Sequence, residues 1–318
     1  MTCKLCNIEP VYKLPNDIKL CKTCFIKYFE EKVFRTIKNY NLISYNDKIA
    51  IATSGGKDSI TVLYLVKKYL TRKNKNYDLK NITAIAIDEG IKDYRENTLN
   101  FLKTFCKKEE IELKIITFKE LFSHTLDQAV EKTCKNSNIS ACNICGTLRR
   151  FALNTASRNI KADKLVTGHN LDDEAQSIML NVFKNNMKIL SRLGPYNGVL
   201  KNEKFIPRVK PLYLVTEKEV RIYTILKGFN VSFNECPYSQ TSFRGDIAQI
   251  LNKLENDHCG IKTSVVNFYL DNMNSFRNSF IEKFGQNVTY CTICGEPSQN
   301  KICNACKMIK TIEKKDIK

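Results

Sequence analysis

The stretch Ile49–Ser59 limits the possible folds more than any other part of this sequence. Ile49-Ala50-Ile51-Ala52-Thr53 are small, apolar or β-branched, as expected of a strand buried on both faces of a parallel sheet. Ser54-Gly55-Gly56-Lys57-Asp58-Ser59 follows, and beyond it Ile60, Val62, Leu63, Leu65 and Val66 recur at a spacing that gives a helix one apolar face. A strand therefore feeds a glycine turn, and the turn opens a helix. Glycines let the backbone approach a ligand closely, and free amides at a helix start favour an anion. Lys57 adds a point charge, while Ser54 and Ser59 add hydroxyls. The pattern is a phosphate cradle, but four residues do not separate a glycine from a following Gly-Lys pair, so it is not a Walker A loop. The Rossmann spacing of glycines is also missing. Asp58 makes sense beside phosphates when Mg²⁺ sits between them.

Ser-Gly-Gly-Lys-Asp-Ser after a buried strand resembles the PP-loop of enzymes that split ATP into AMP and pyrophosphate. The alternative is an ordinary glycine turn, but strand, turn chemistry and helix all agree on the first reading.

At 318 residues the chain can bury one large core with attachments. It lacks a run of about 18 apolar residues, so no membrane span is expected. The start, Met1-Thr2-Cys3-Lys4, has no secretory apolar stretch, and the expected location is the cytosol, or the nucleus if the host has one. A net charge of +18 favours a polyanionic partner, a solubilising surface being the bland alternative. Fourteen cysteines in a cytosolic chain are not read as disulfides, and with three histidines any metal site is almost wholly thiolate. Cys3-x-x-Cys6 with Cys21-x-x-Cys24, and Cys291-x-x-Cys294 with Cys303-x-x-Cys306, each supply four thiolates for tetrahedral Zn²⁺. Cys142-x-x-Cys145 stands apart in mid-chain, and Cys106, Cys134, Cys236 and Cys259 are single.

Strands and helices alternate between these ends. Strands are expected at 48–53, 81–88, 112–118, 164–167 and 230–233. Helices are expected at 25–39, 58–70, 95–110, 119–133, 145–160, 172–184 and 217–227, then at 242–256 and 261–284. Residues 185–214, broken by Pro195, Gly198, Pro207 and Pro211, read as the least regular part. Repeated βα units of this length mean an α/β fold with a doubly wound parallel sheet. Ligands of such sheets lie beyond the carboxyl ends of the strands. That edge collects the cradle, Ile87, Asp88 and Glu89 for adenine or ribose, then Gly168, His169, Asp172 and Asp173, and Cys236 after the fifth strand. Each is bland alone; Asp172 at a helix start reads first as a cap.

Cys142 and Cys145 open a helix and precede Arg149 and Arg150. Helix-end amides and Arg149 are expected to depress the thiol pKa values. An inert pair and half of another zinc site are alternatives. With Cys236 at the same edge, three thiolates suit an iron–sulfur cluster with one open iron or a persulfide-forming pair. Lys253, Lys262, Arg277 and Lys283 are candidates for an RNA-facing surface, and the tail 307–318, with five lysines, reads as loose.

The order CxxC, CxxC, Ser-Gly-Gly-Lys-Asp-Ser, Cys-x-x-Cys-Gly-x-x-Arg-Arg, Thr-Gly-His-Asn-Leu-Asp-Asp-Glu-Ala, a lone Cys-Pro, CxxC, CxxC resembles the tRNA 2-thiouridine synthases from Cys3 to Cys306. The resemblance implies a PP-loop (adenine nucleotide alpha hydrolase-like) fold with zinc-ribbon elements at both termini. It implies a finger at 1–24, a catalytic domain at 25–240, a helical tRNA-binding region at 241–288 and a second finger with a basic tail at 289–318. Carried over residue by residue, Cys142, Cys145 and Cys236 ligate a 4Fe–4S cluster, and the outer eight cysteines bind two zinc ions. ATP contacts fall on Ala52, Ser54, Gly55, Gly56, Lys57, Asp58, Ser59, Ile87, Asp88, Arg149, Gly168 and Asp173. Lys57 and Asp58 act with the three cluster thiols in catalysis. The implied reaction adenylates the C2 oxygen of a tRNA uridine and replaces it with sulfur, with ATP and Mg²⁺ consumed or bound and the cluster holding sulfur. The Arg149-Arg150 pair resembles the archaeal and eukaryotic wobble-uridine branch. The family also implies a homodimer and a sulfur donor: sulfide, a persulfide or a thiocarboxylated ubiquitin-like protein. Two rivals stay open. A small-substrate amidating ligase of the PP-loop type leaves the cysteines and charge idle, and a non-catalytic zinc-finger RNA-binding protein leaves the cradle idle.

Overall fold

The computed structural model describes residues 2–14, 16–133, 139–197, 204–231, 236–238, 243–285, 289–298 and 300–313. At the N-terminus β1 (Tyr12–Lys13) and β2 (Lys19–Leu20) form an antiparallel hairpin that leads into α1 (Lys22–Asn39). Phe25, Phe29, Val33 and Ile37 recur every four residues and are fully buried, which fixes the face α1 turns inward. The chain then builds β3 (Ile49–Ala52), α2 (Lys57–Thr71), β4 (Ile82–Asp88), α3 (Arg95–Lys108) and β5 (Glu112–Thr117). Two short helices, α4 (Phe118–Phe122) and α5 (Leu126–Thr133), stand where one helix over 119–133 is expected. Ser123 separates them by adopting a left-handed backbone, φ 61°.

Next come α6 (Ala141–Asn159), β6 (Lys164–Val166), α7 (Leu171–Phe183), α8 (Met187–Leu190), β7 (Arg208–Val209) and α9 (Glu217–Leu226). The five central strands are all parallel, in the order β5-β4-β3-β6-β7. Alternation decides the two faces: Ile49, Ile51, Ala84 and Ala86 join one core with α1, α2, α3 and α9. Ala50, Ile85, Ile87 and Leu165 join another with α4, α5 and α6.

The fifth strand is not where the sequence suggests. Residues 230 and 231 are not strand, and 232–235 lie outside the described residues. The strand is Arg208–Val209, within the stretch expected to be irregular. Pro207 still accepts a bond from the Leu165 amide at 2.9 Å, and the edge of a sheet tolerates a residue with no N–H to donate.

Beyond α9 lie α10 (Phe243–Asp257) and α11 (Ile261–Phe284), which pack on α7 in a third core. Then β8 (Thr289–Tyr290), β9 (Pro297–Ser298) and α12 (Asn304–Glu313) form the C-terminal knuckle. The basic tail is helical through Glu313, with the last five residues outside the description, and Ile312 on α12 is buried in the core beneath α6. Asn154 and Arg158 of α6 both bind Glu296, clamping the knuckle to the domain. Lys262 and Arg277 do not form an RNA-facing surface. Lys262 is buried against Asp172, and Arg277 donates to the carbonyls of Leu193 and Tyr196, both at 3.2 Å. Asp172 thus faces the helical region instead of the strand-end site. No helix among the described residues is long and apolar enough to cross a membrane.

Candidate active site

The cradle is tightly self-bonded. Ser59 Oγ accepts from the Ser54 amide at 3.1 Å and donates to the Gly56 carbonyl at 2.9 Å, while Ser54 Oγ accepts from the Gly56 amide at 3.3 Å. Gly55 adopts φ +86°, and a Cβ there would stand 2.6 Å from the Thr98 carbonyl oxygen, so both torsion and space require glycine. Lys57 opens α2 and holds Asp58 at 2.9 Å and Glu217 at 2.8 Å. Burial would lower its ammonium, but Asp58 and Glu217 outweigh that and raise it above its ordinary value. Asn170 Nδ2 donates to Asp58 at 2.9 Å, so the turn after β6 meets the turn after β3. Ala52 ends β3, and Ile87 and Asp88 end β4 beside it. Asp88 accepts from the Gly90 amide at 2.9 Å, which fixes its carboxylate at the strand end.

Three arginines that the sequence does not single out, Arg95, Arg208 and Arg244, complete this edge. Arg95, 5 % exposed, donates to the Ser54 carbonyl at 2.6 Å and the Ile87 carbonyl at 3.0 Å, and pairs with Glu89 at 3.0 Å. Glu89 reaches Arg149 at 3.6 Å with its other oxygen, so one carboxylate ties the cradle to the helix that carries Cys142 and Cys145. Arg244 pairs with Asp173 at 2.9 Å. A helix-opening Arg beside a strand end was a usable signal for Arg95; Arg208 and Arg244 had none. Asp173 also closes the capping box of α7 with Asn170. The cleft walls desolvate its carboxyl and push it up to about 6, Arg244 opposing and Asp58 reinforcing, although a third of the side chain stays exposed.

Cys142 and Cys145 sit in the first turns of α6, which Ser140 caps by accepting from the Asn143 amide. Cys142 Sγ lies 3.2 Å from the Tyr238 carbonyl, and Tyr238 donates its hydroxyl to Asp127 at 2.7 Å. These bonds bring the segment with Cys236 to the same place. The depression expected of the α6 thiols is not found at Cys145. Burial pushes Cys145 up to about 11 against the pull of Arg149, and raises Cys236 as well. A desolvated thiol prefers its neutral form more strongly than one guanidinium favours the anion. The three thiols feel one another's charge, yet they are spaced more widely than the tight four-cysteine sets.

Those sets are Cys3, Cys6, Cys21, Cys24 and Cys291, Cys294, Cys303, Cys306, each with its sulfurs within 4.8 Å of one another. At Cys291 burial opposes the thiolate, but the amides of Cys294, Cys303 and Ile293 outweigh it and bring the thiol down to about 6. Both sets fit a zinc ion. Of the single cysteines, Cys106 is buried in the core, Cys259 is exposed, and Cys134 lies outside the described residues.

The fold and cradle define a PP-loop nucleotide-binding protein, and the sequence family described as a PP-loop domain matches residues 27–251. The chain is 35% identical over 315 residues to the cytoplasmic tRNA 2-thiolation protein 1 of Dictyostelium discoideum, covering 98% of this chain and 83% of that one. It is 35% identical over 308 residues to a tRNA-5-methyluridine(54) 2-sulfurtransferase of Pyrococcus horikoshii, covering 96% and 93%. The solved U34-tRNA thiolase NcsA of Methanococcus maripaludis, determined with its 4Fe–4S cluster, superposes with a TM-score of 0.80 at 34% identity, covering 98% and 96%. The chain belongs to the PP-loop family of tRNA 2-thiolation proteins.

Proposed function

We propose that this protein is an ATP-dependent tRNA 2-sulfurtransferase. The observation that carries the reading is Glu89, which binds Arg95 of the cradle and Arg149 of the thiol-bearing helix at once. Nucleotide activation and sulfur chemistry thereby share one strand-end cleft.

A uridine C2 oxygen is a poor leaving group and needs activation. Its attack on the α-phosphorus of ATP releases pyrophosphate and leaves the oxygen bonded to AMP. Lys57 and the amides of the cradle stabilise the charge growing on the departing pyrophosphate. Contacts to ATP are assigned to Ala52, Ser54, Gly55, Gly56, Ser59, Ile87, Asp88, Arg149, Gly168 and Asp173. Asp58 supplies a carboxylate for Mg²⁺, which would neutralise phosphate charge. Sulfur then attacks C2, and AMP departs with the original oxygen. Cys142, Cys145 and Cys236 would hold a 4Fe–4S cluster, whose chemistry is to bind and deliver sulfur. Their convergence at one strand end, where the thiols act on one another's charge, supports this.

The Arg149-Arg150 pair and the likeness to a U34 thiolase support the wobble uridine as target. The sulfur donor is read as sulfide, a persulfide or a thiocarboxylated ubiquitin-like protein, the assembly as a homodimer and the compartment as the cytoplasm. The domain limits are proposed at 1–24, 25–240, 241–288 and 289–318.

Mass spectrometry of tRNA nucleosides from a strain lacking the protein tests the reading: wobble 2-thiouridine should vanish. Loss of a thiolated T-loop nucleoside instead would move the target, and an unchanged nucleoside profile would overturn the activity. In vitro, Asp58→Ala should stop AMP release while tRNA binding persists.

A further inference from the structure

Among the described residues, Arg150 and Arg208 are cleft guanidiniums with no counter-ion. Arg149 and Arg244 are paired with Glu89 and Asp173. Among the described residues neither Arg150 nor Arg208 makes an ion pair, and Arg208 spends one N–H on the Arg150 carbonyl at 3.1 Å. Burial, then Arg150 and Arg149, bring half-buried Arg208 down to about 10. Both remain cationic at neutral pH, so the cleft holds a repulsive pair of charges that a bound anion would relieve.

The place of this pair says which anion. The cradle follows β3, and Asp88 ends β4 on one side of it. Arg208 belongs to β7, two strands away on the other side, about 10 Å from the β3 axis at the usual strand spacing. A triphosphate held on the α2 amides is centred on β3 and reaches toward β4. Its contacts at Gly168 and Asp173 carry it as far as the end of β6, and the space over β7 is left for the second substrate. Arg150 also folds back along α6, its Nη2 3.5 Å from where a Cβ of Gly146 would be, and its charge acts on the Cys145 thiol from there. A phosphate there would belong to a nucleotide whose base reaches both the cradle and the thiols.

We infer that Arg150 and Arg208 clamp a backbone phosphate of the tRNA beside the reacting uridine, as positioning residues for the acceptor and not for ATP. This rests on the thiolation reading above. Two guanidiniums on one phosphate make several charge-assisted hydrogen bonds, so losing one should weaken tRNA binding about tenfold or more.

The experiment measures binding of unmodified tRNA over a salt series, and binding of ATP, for the wild type, Arg150→Ala, Arg208→Ala, Arg208→Lys and the double alanine variant. Arg150 is exposed, so Arg150→Ala is readable even where Arg208→Ala folds poorly. The expected result is a weaker tRNA affinity with a salt slope lower by about one phosphate contact, partial rescue by Arg208→Lys, and ATP affinity unchanged. Equal loss of ATP and tRNA affinity would place the pair on the nucleotide and overturn the inference. So would an unchanged tRNA affinity in Arg150→Ala or the double variant. A wild type that neither binds tRNA nor releases AMP in its presence overturns the thiolation reading as well, which separates the two failures.

Discussion

Gly168 lies against Asp58 so closely that a Cβ on Gly168 would stand 2.9 Å from the Asp58 carbonyl carbon and 3.1 Å from the Ser59 amide nitrogen. The loops after β6 and β3 therefore pack backbone on backbone, and Asn170 can reach the Asp58 carboxylate from this position. Asp58 is aimed by a neighbouring βα turn as much as by its own.

Gly168→Ala should consequently damage the site more than the fold. The methyl meets backbone, which cannot rotate away, so the cradle must shift by a few tenths of an ångström. A stability loss of about 1–3 kcal/mol is expected from such overpacking. ATP affinity should fall at least tenfold, because the amides and Asp58 move together. Calorimetric titration with ATP beside a thermal melt checks this; a large melting shift with normal ATP affinity would contradict it.

Much of this arrangement was legible because local pattern and tertiary demand agree. The near-continuous apolar run of Ile82, Ala84, Ile85, Ala86 and Ile87 marks a strand with two buried faces, and Ile261–Phe284 forms the expected helix with the same limits. The signals failed where a contact distant in sequence decides. Arg208–Val209 is too short to show a period and becomes strand only because Leu165 donates to the Pro207 carbonyl just before it and Thr167 to the Val209 carbonyl. Lys262 reads as a solvated charge until Asp172, 90 residues away, buries it. The expectation for Cys145 failed because a helix start and a nearby Arg are visible in sequence, whereas burial is not.

Zinc should be present at about two ions per chain, one per four-cysteine set. Cys303→Ser should halve it and lower Tm by several degrees. The reason is local: Cys291, Cys303 and Cys306 are part of the core that seats α12 on α6. A metal assay on the purified variant, paired with a melt, gives both readouts. Full zinc content in Cys303→Ser would remove that cysteine from the ligand set.

Asp173 should leave a signature in the pH dependence of stability. Its carboxyl stands at about 6 in the fold against an ordinary 3.8. A carboxyl raised by folding contributes stability while protonated, in full below about 3.8, and loses it as pH climbs through about 6. Asp173→Asn keeps a neutral side chain of the same shape and does not titrate. The Tm of the wild type relative to the variant should therefore fall as pH rises across that window. A difference that stays flat, or rises, would mean that Arg244 dominates and the carboxylate is ionised throughout.

Cys236→Ser separates the two chemistries that the cleft joins. Cys236 reaches Cys142 and Cys145 through a loop pinned by Tyr238, and none of the bonds that build the cradle passes through it. Protein purified without oxygen should carry about four irons and a brown charge-transfer band, as three thiolates around one cluster would give. The Ser variant should lose most of the iron and all thiolation. Its ATP affinity and its AMP release with tRNA should stay within about twofold, since Lys57, Asp58 and Arg95 are untouched. A persulfide mechanism using the same three cysteines predicts thiolation by aerobic, iron-free protein given a thiol-bound sulfur donor. Iron content and thiolation measured on the same wild-type preparations therefore decide between them, because only the cluster mechanism makes activity rise and fall with bound iron.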